Sequence, residues 1–163
     1  METITLSFGF SNLQKALDIF LNDFISTYKS LLIRDNKKAS GNLINSIKSL
    51  GIVYINNKIQ ASIELASYWK YVEYGRKPGK FPPPDKILNW VSVKPIIPRP
   101  LNGIKPTTKQ LAFLISRKIA RDGIKAGNQF SEALDLVWSR QKDNIENAIS
   151  LDLESEISVI KIK

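Results

Sequence analysis

All eight prolines of this 163-residue chain lie between Pro78 and Pro106. Proline has no amide donor and fixes φ, so it stops helix interiors and breaks sheet ladders. The chain on either side of this zone is free to form uninterrupted helices and strands. Inside it, the longest proline-free window contains "DKILNWVSV", which reads as a short helix. Asp85 sits at its start, and Ile87, Leu88, Trp90 and Val91 supply its apolar side. "KPIIPRPLNGIKP" cannot be regular structure, and it is too long for a passive connection in a compact domain. It reads as a loop ordered by function or by a partner.

Before the prolines, apolar residues recur at three- and four-residue steps from Asn12 to about Arg34, including Leu13, Leu17, Phe20, Leu21, Phe24, Tyr28 and Leu32. That spacing predicts a long amphipathic helix. Ser11 and Gln14 form a capping-box pattern at its start. "RDNKKASGN" breaks it, and Leu43, Ile44 and Ile47 suggest a second short helix. "LGIVYI" and "KIQASIEL" then flank Asn56-Asn57, a pair suited to a two-residue hairpin turn. Setting Ile55 opposite Lys58 places Tyr54 with Ile59, Ile52 with Ala61 and Leu50 with Ile63. That leaves one apolar face, expected to lie under the long helix; a one-residue slip would scramble it.

Residues 66–75 read as a helix with Tyr68, Tyr71, Val72 and Gly75 on one packing face and Gly75 as its stop. Trp69 falls on the other side and is an interface candidate. Beyond the prolines, Thr107 or Thr108 starts a helix to about Arg121, ended by Gly123. Ser131 caps another to about Ile149 that carries Trp138. Trp90 and Trp138 lie on apolar stripes and are expected in the core. "LDLESEISVIKIK" alternates apolar and polar residues and is expected to be a strand. The sum is an α+β chain forming a single domain over 1–163. A small, largely antiparallel sheet, with its central hairpin at about 50–65, packs under a long N-terminal helix and two later ones. A proline-rich loop protrudes at 76–106.

Apolar residues make up 43% of the chain and charged ones 24%, an ordinary globular balance. There is no Cys and no His, which removes disulfides, thiol chemistry, the commonest general base and the usual zinc ligands. No catalytic, metal or cofactor site emerges: no base accompanies the serines, and the glycines form no phosphate loop. Glu73 is the most suggestive acid, and pairing with Lys70 or Lys77 one turn away accounts for it. No apolar run approaches a membrane span, and "METITLSFGF" lacks the pattern of a secretory signal.

Net charge is +9 and unevenly spread: residues 69–109 hold nine Lys or Arg against two acids, and 131–163 hold seven acids against four bases. Such asymmetry fits nucleic-acid binding through the basic segment, or head-to-tail contact between copies. The stiff, basic run Arg76, Lys77, Pro78, Lys80, Phe81, Pro82 and Pro83 is the expected docking arm, with Trp69, Glu73, Tyr74 and Arg99 as further interface candidates.

"SGNLINSI", then a hairpin, then "ASYWKYVEYG", resembles the tail-completion and head–tail connector (neck) proteins of long-tailed bacteriophages. The family carries a Tyr-x-x-Tyr-Val-Glu-aromatic-Gly signature, here Tyr68, Tyr71, Val72, Glu73, Tyr74 and Gly75. A proline-rich stretch follows, here Phe81-Pro82-Pro83-Pro84. Downstream, Gly123, Lys125 and Phe130 match the family's Gly-x-Lys link and the aromatic that opens its last helix. The likeness covers residues 39–149. Many relatives place Thr or Ser after the signature glycine, where this chain has Arg76. The resemblance implies a subunit without enzymatic activity or cofactor. It implies a homo-oligomeric ring in the virion, assembled in the bacterial cytoplasm and touching portal, adaptor, tail tube or tail terminator. Its lumen would offer non-specific basic contact to packaged DNA.

Overall fold

In the computed structural model the described residues are 9–159, apart from 38, 56–57, 95, 97, 99, 101–102 and 104. Arg99 and the Asn56-Asn57 turn therefore lie outside the described residues. Among those described, the order is α1 (Ser11–Arg34), α2 (Asn42–Ser46), β1 (Lys48–Ile55), β2 (Lys58–Glu64), α3 (Trp69–Tyr74), α4 (Pro84–Val93), α5 (Thr108–Asp122) and α6 (Gln129–Val159). The class is α+β, with one antiparallel hairpin.

Helices α1 and α6 form the spine of the fold. They run antiparallel, because Asn12 at the start of α1 meets Asp152, while Arg34 at its end meets Glu132. Phe24, Tyr28, Leu31 and Leu32 of α1 bury themselves with Leu43, Ile47, Ala133 and Val137. Ala16, Ile145 and Ala148 form a second cluster toward the other end. Small residues on α6 let the helices approach closely, and each large side chain buried here contributes about 1.5–3 kcal/mol.

The expected C-terminal strand is instead helix: α6 runs 31 residues, through Val159. Among the described residues of that segment the one buried side chain is acidic, Asp152. Burial of a carboxylate hid the helical period, and the alternation of Leu151, Leu153 and Ile157 imitated a strand. The last four residues of that segment lie outside the described residues. The start of α1 also departs from expectation. Its Ser11–Gln14 pattern makes no side-chain cap. Asp152 accepts from the Asn12 and Leu13 amides at 3.0 and 2.8 Å, so α6 caps α1.

The hairpin keeps the expected register from Ile55↔Lys58 to Gly51↔Ser62. A bulge between Ser49 and Gly51 then pairs Ser49, not Leu50, with Ile63. Gly51 has φ +83°, and its amide donates to Ser49 Oγ at 3.0 Å. The sheet face is covered only in part. Ile63 packs against the main cluster, whereas Leu50 and Tyr54 are 61% and 57% exposed. The start of α1 lies beside the turn end of the hairpin, where the Phe10 ring is 6.2 Å from that of Tyr54, and the Phe24–Tyr28 cluster meets Ile63 at the other end.

Helices α4 and α5 pack on each other and bury Val91, Ala112 and Ser116. Thr107 and Gln110 form a reciprocal capping box at the start of α5. This pair joins the rest of the molecule through two crossing segments, 76–79 and 120–124. The Arg76 and Ile124 amides each donate to the other residue's carbonyl at 2.8 Å, and the Gly79 amide donates to Ala120 O at 2.8 Å. Within the 76–106 segment the first residues are bonded into the fold, and the short helix expected from "DKILNWVSV" is present as α4.

Candidate functional site

The signature segment folds into α3, a helix of six residues. Its inner side carries Trp69, Val72 and Glu73, at i, i+3 and i+4. The expected packing face was displaced. Tyr68 precedes the helix and is 43% exposed, Tyr71 is 61% exposed, and of that set Val72 and Gly75 lie inward. Trp69, expected at an interface, is half-buried against the core, with its ring 5.1 Å from that of Phe130. Gly75 is the stop, as expected, at φ +70° and ψ −157°, a conformation open essentially to glycine alone.

Glu73 is 1% exposed. Its Oε2 accepts from the Phe130 amide at 2.7 Å, and its Oε1 accepts from the Ser131 amide and hydroxyl at 3.0 and 2.7 Å. A carboxylate thus holds two amides that the first turn of α6 cannot pair within the helix, and its charge matches the positive end of the helix dipole. The main chain repeats the join. Gly127 N donates to Val72 O at 3.0 Å, and Asn128 N donates to Glu73 O at 3.1 Å. Pairing of Glu73 with Lys70 or Lys77 is therefore corrected, as is its place at an interface. Ser131 does not cap α6 itself; its hydroxyl serves Glu73.

Three glycines make the crossing close enough. A Cβ at Gly75 would strike the Ile124 carbonyl, one at Gly123 the Arg76 carbonyl, and one at Gly127 the Val72 carbonyl. Phe130 sits at the centre of an aromatic group, 4.9 Å from Phe24 and 5.5 Å from Tyr28 between ring centroids. Burial, with the Glu73 charge adding to it, pushes the Tyr28 hydroxyl up to about 12. Beside this group, Arg34 bridges Asp35 and Glu132 at 2.7 and 2.8 Å, and Gln129 Nε2 donates to Asp35 at 2.9 Å. The Arg34 and Gln129 hydrogen bonds bring the Asp35 carboxyl down to about 2.

Around this closed joint lies an open surface. Tyr74 is 67% exposed, beside Trp69. Lys77, Pro78, Lys80 and Pro83 are exposed, and the Arg76 guanidinium donates to the Lys80 carbonyl, which ties the arch between them. Phe81 is 41% exposed with its ring 5.9 Å from Phe113, whereas Pro82 is buried. Trp90 and Trp138, expected in the core, are 38% and 49% exposed. Trp90 lines a groove of about 520 Å³ between α2, α3 and α4, with Leu43, Tyr68 and Lys86 among its other walls.

The joint offers positioning rather than a reactive group: both Glu73 oxygens are occupied by donors of α6. Among the described residues no cluster of three or more carboxylates could hold a metal ion. Sequence reasoning missed Asp152, Gly127 and the Arg34–Asp35–Glu132 group. The Trp69-x-x-Val72-Glu73 spacing was the available signal for the true inner face, obscured because charged residues are seldom counted as core. No protein-family model, curated protein or solved structure matches the chain.

Proposed function

We propose that this protein is a structural virion subunit of a long-tailed bacteriophage. It forms a homo-oligomeric ring in the head–tail connector, or at the upper end of the tail, around the DNA passage. One observation carries the reading. Two of the segments that carry the family resemblance, 68–75 and 123–130, meet at a single joint where Glu73 accepts from the amides of Phe130 and of Ser131 that follows it. A signature with that use sets the angle between helices, which is the work of an assembly subunit. Its partners are further copies of itself and the neighbouring portal, adaptor, tail-tube or tail-terminator proteins, and it acts without cofactor or catalysis.

Immuno-electron microscopy tests this. Antibodies raised against the recombinant chain should label the junction of head and tail in particles of the phage that encodes it. Label absent from the particles, with the protein expressed in infected cells, sinks the reading.

A nucleic-acid-binding role is favoured by a different observation: exposed Lys77, Lys80, Lys86, Arg117 and Lys118 all lie on or beside α4 and α5. A DNA titration separates it, since phosphate-driven binding weakens steeply as salt rises. Absence of binding at low salt ends it.

A further inference from the structure

We infer that copies of this chain associate head to tail, with one flank of α6 docking on the α4–α5 pair of the next copy. The inference deepens the ring reading above and rests on it only for closure of the contact into a ring.

Helix α6 buries Ala133, Val137, Ala148 and Asp152. The residue after each of these, Leu134, Trp138, Ile149 and Leu153, is 42%, 49%, 37% and 43% exposed. An offset of one residue is a turn of about 100° around the helix axis. One side of α6, next to its seam with α1, therefore carries a second apolar stripe exposed to solvent. Helix α5 repeats the pattern: it buries Ala112 and Ser116, while Phe113 and Leu114 are 57% and 39% exposed.

Charge decides which stripe meets which. Residues 69–127 hold 13 Lys or Arg against three acids, so all of the net positive charge lies in the block that contains α4 and α5. Residues 131–163 hold seven acids against four bases. Asp135 and Glu146 are exposed and lie one helical turn before Trp138 and Ile149; Lys142, one turn beyond Trp138, pairs with Glu146 at 3.6 Å, which leaves this flank with two acids and one base. Arg117 and Lys118 are exposed one turn beyond Phe113 and Leu114. Like faces set against each other would repel. Unlike faces attract, which favours a heterologous contact of α6 on the α4–α5 pair over a two-fold pairing of either face on itself. Such a contact repeats from copy to copy and closes into a ring when its rotation allows.

The test reverses each face in the full-length protein. One variant carries Asp135→Lys and Glu146→Lys; the other carries Arg117→Glu and Lys118→Glu. All four side chains are exposed, and far-ultraviolet circular dichroism checks that the fold is kept. Sedimentation velocity should show wild-type assembly at low salt that dissociates as salt rises. Each variant alone should self-associate at least about tenfold more weakly. An equal mixture of the two should recover assembly, because each then presents the face that the other needs. Variants that assemble as wild type, a mixture that fails to recover, or a wild type that is monomeric at low salt each overturn the pairing. None of these results moves the antibody label in the particle, so the virion reading stands or falls separately.

Discussion

Glu73 and Phe130 are 57 positions apart, and the Phe130 amide donates to Glu73 Oε2 at 2.7 Å. This bond, with the two from Ser131, fixes the start of a 31-residue helix to the tip of a six-residue one. Glu73→Ala removes the carboxylate and leaves two part-buried amides without acceptors, which costs about 2–3 kcal/mol. Glu73→Gln keeps an acceptor of the same length and should cost less than the alanine variant. Urea unfolding followed by circular dichroism reads both. A loss below about 0.5 kcal/mol for the alanine variant, the scale of an ordinary surface change, would deny the joint its role.

Acid should weaken the spine at both ends. At one end, burial pushes the Asp152 carboxyl up, but the Leu13 and Asn12 amides, the Asn12 side chain and Lys15 outweigh it and hold it below its ordinary value. At the other, hydrogen bonds from Arg34 bring down both Asp35 and Glu132. A carboxyl depressed in the folded state stabilises it fully above the unfolded value, about 4. That stabilisation is lost as pH falls through the folded value. Stability should therefore drop on going from about pH 5 toward pH 2, and Asp152→Asn should flatten part of that limb. A thermal-melting series across the range checks it, and an Asp152→Asn profile parallel to wild type would contradict it.

Alanine at Gly75 or Gly123 meets two obstacles. The backbone there has φ near +70° and +75°, and the added Cβ would strike the carbonyl of the crossing segment, Ile124 or Arg76. Each substitution should cost at least about 2 kcal/mol. Gly51→Ala is the control, since φ is +83° there but nothing lies within 4 Å of the added carbon. It should pay only the conformational part, about 1 kcal/mol. Equal losses at the three positions would mean that the crossing is not as tight as its geometry.

Two of the three tryptophans should separate cleanly. Trp69 packs on Phe130 and the main cluster, so Trp69→Ala should lose about 2–4 kcal/mol. Trp138 is 49% exposed, and its replacement should cost under about 1 kcal/mol. Chemical denaturation of the two variants measures the difference. A Trp138→Ala loss as large as that of Trp69→Ala would place Trp138 in the core after all.

Local signals carried much of the fold. The step of Leu13, Leu17, Phe20 and Phe24 marked α1, the Thr107-Thr108 pair after the last proline marked the start of α5, and the alternation around Tyr54 and Ile59 set most of the hairpin register. These features are legible because each depends on residues within a few positions of one another. Errors fell where a charged residue is buried. Glu73 and Asp152 sit at inner positions of their helices, and any reading that expects acids outside turns each helix to the wrong face or breaks it.

By itself, the amino-acid sequence determined where regular structure can exist. Proline and glycine restrict φ, and apolar spacing restricts which helices and strands can bury a face. Only the tertiary structure decided which helix ends are satisfied by which carboxylates. A helix end needs an acceptor but does not specify its address, so Asp152 serves Asn12 and Leu13 from 140 and 139 positions away. The same holds for Gly75, Gly123 and Gly127: their need for hydrogen in place of Cβ arises from a crossing of two distant segments, which no local pattern encodes.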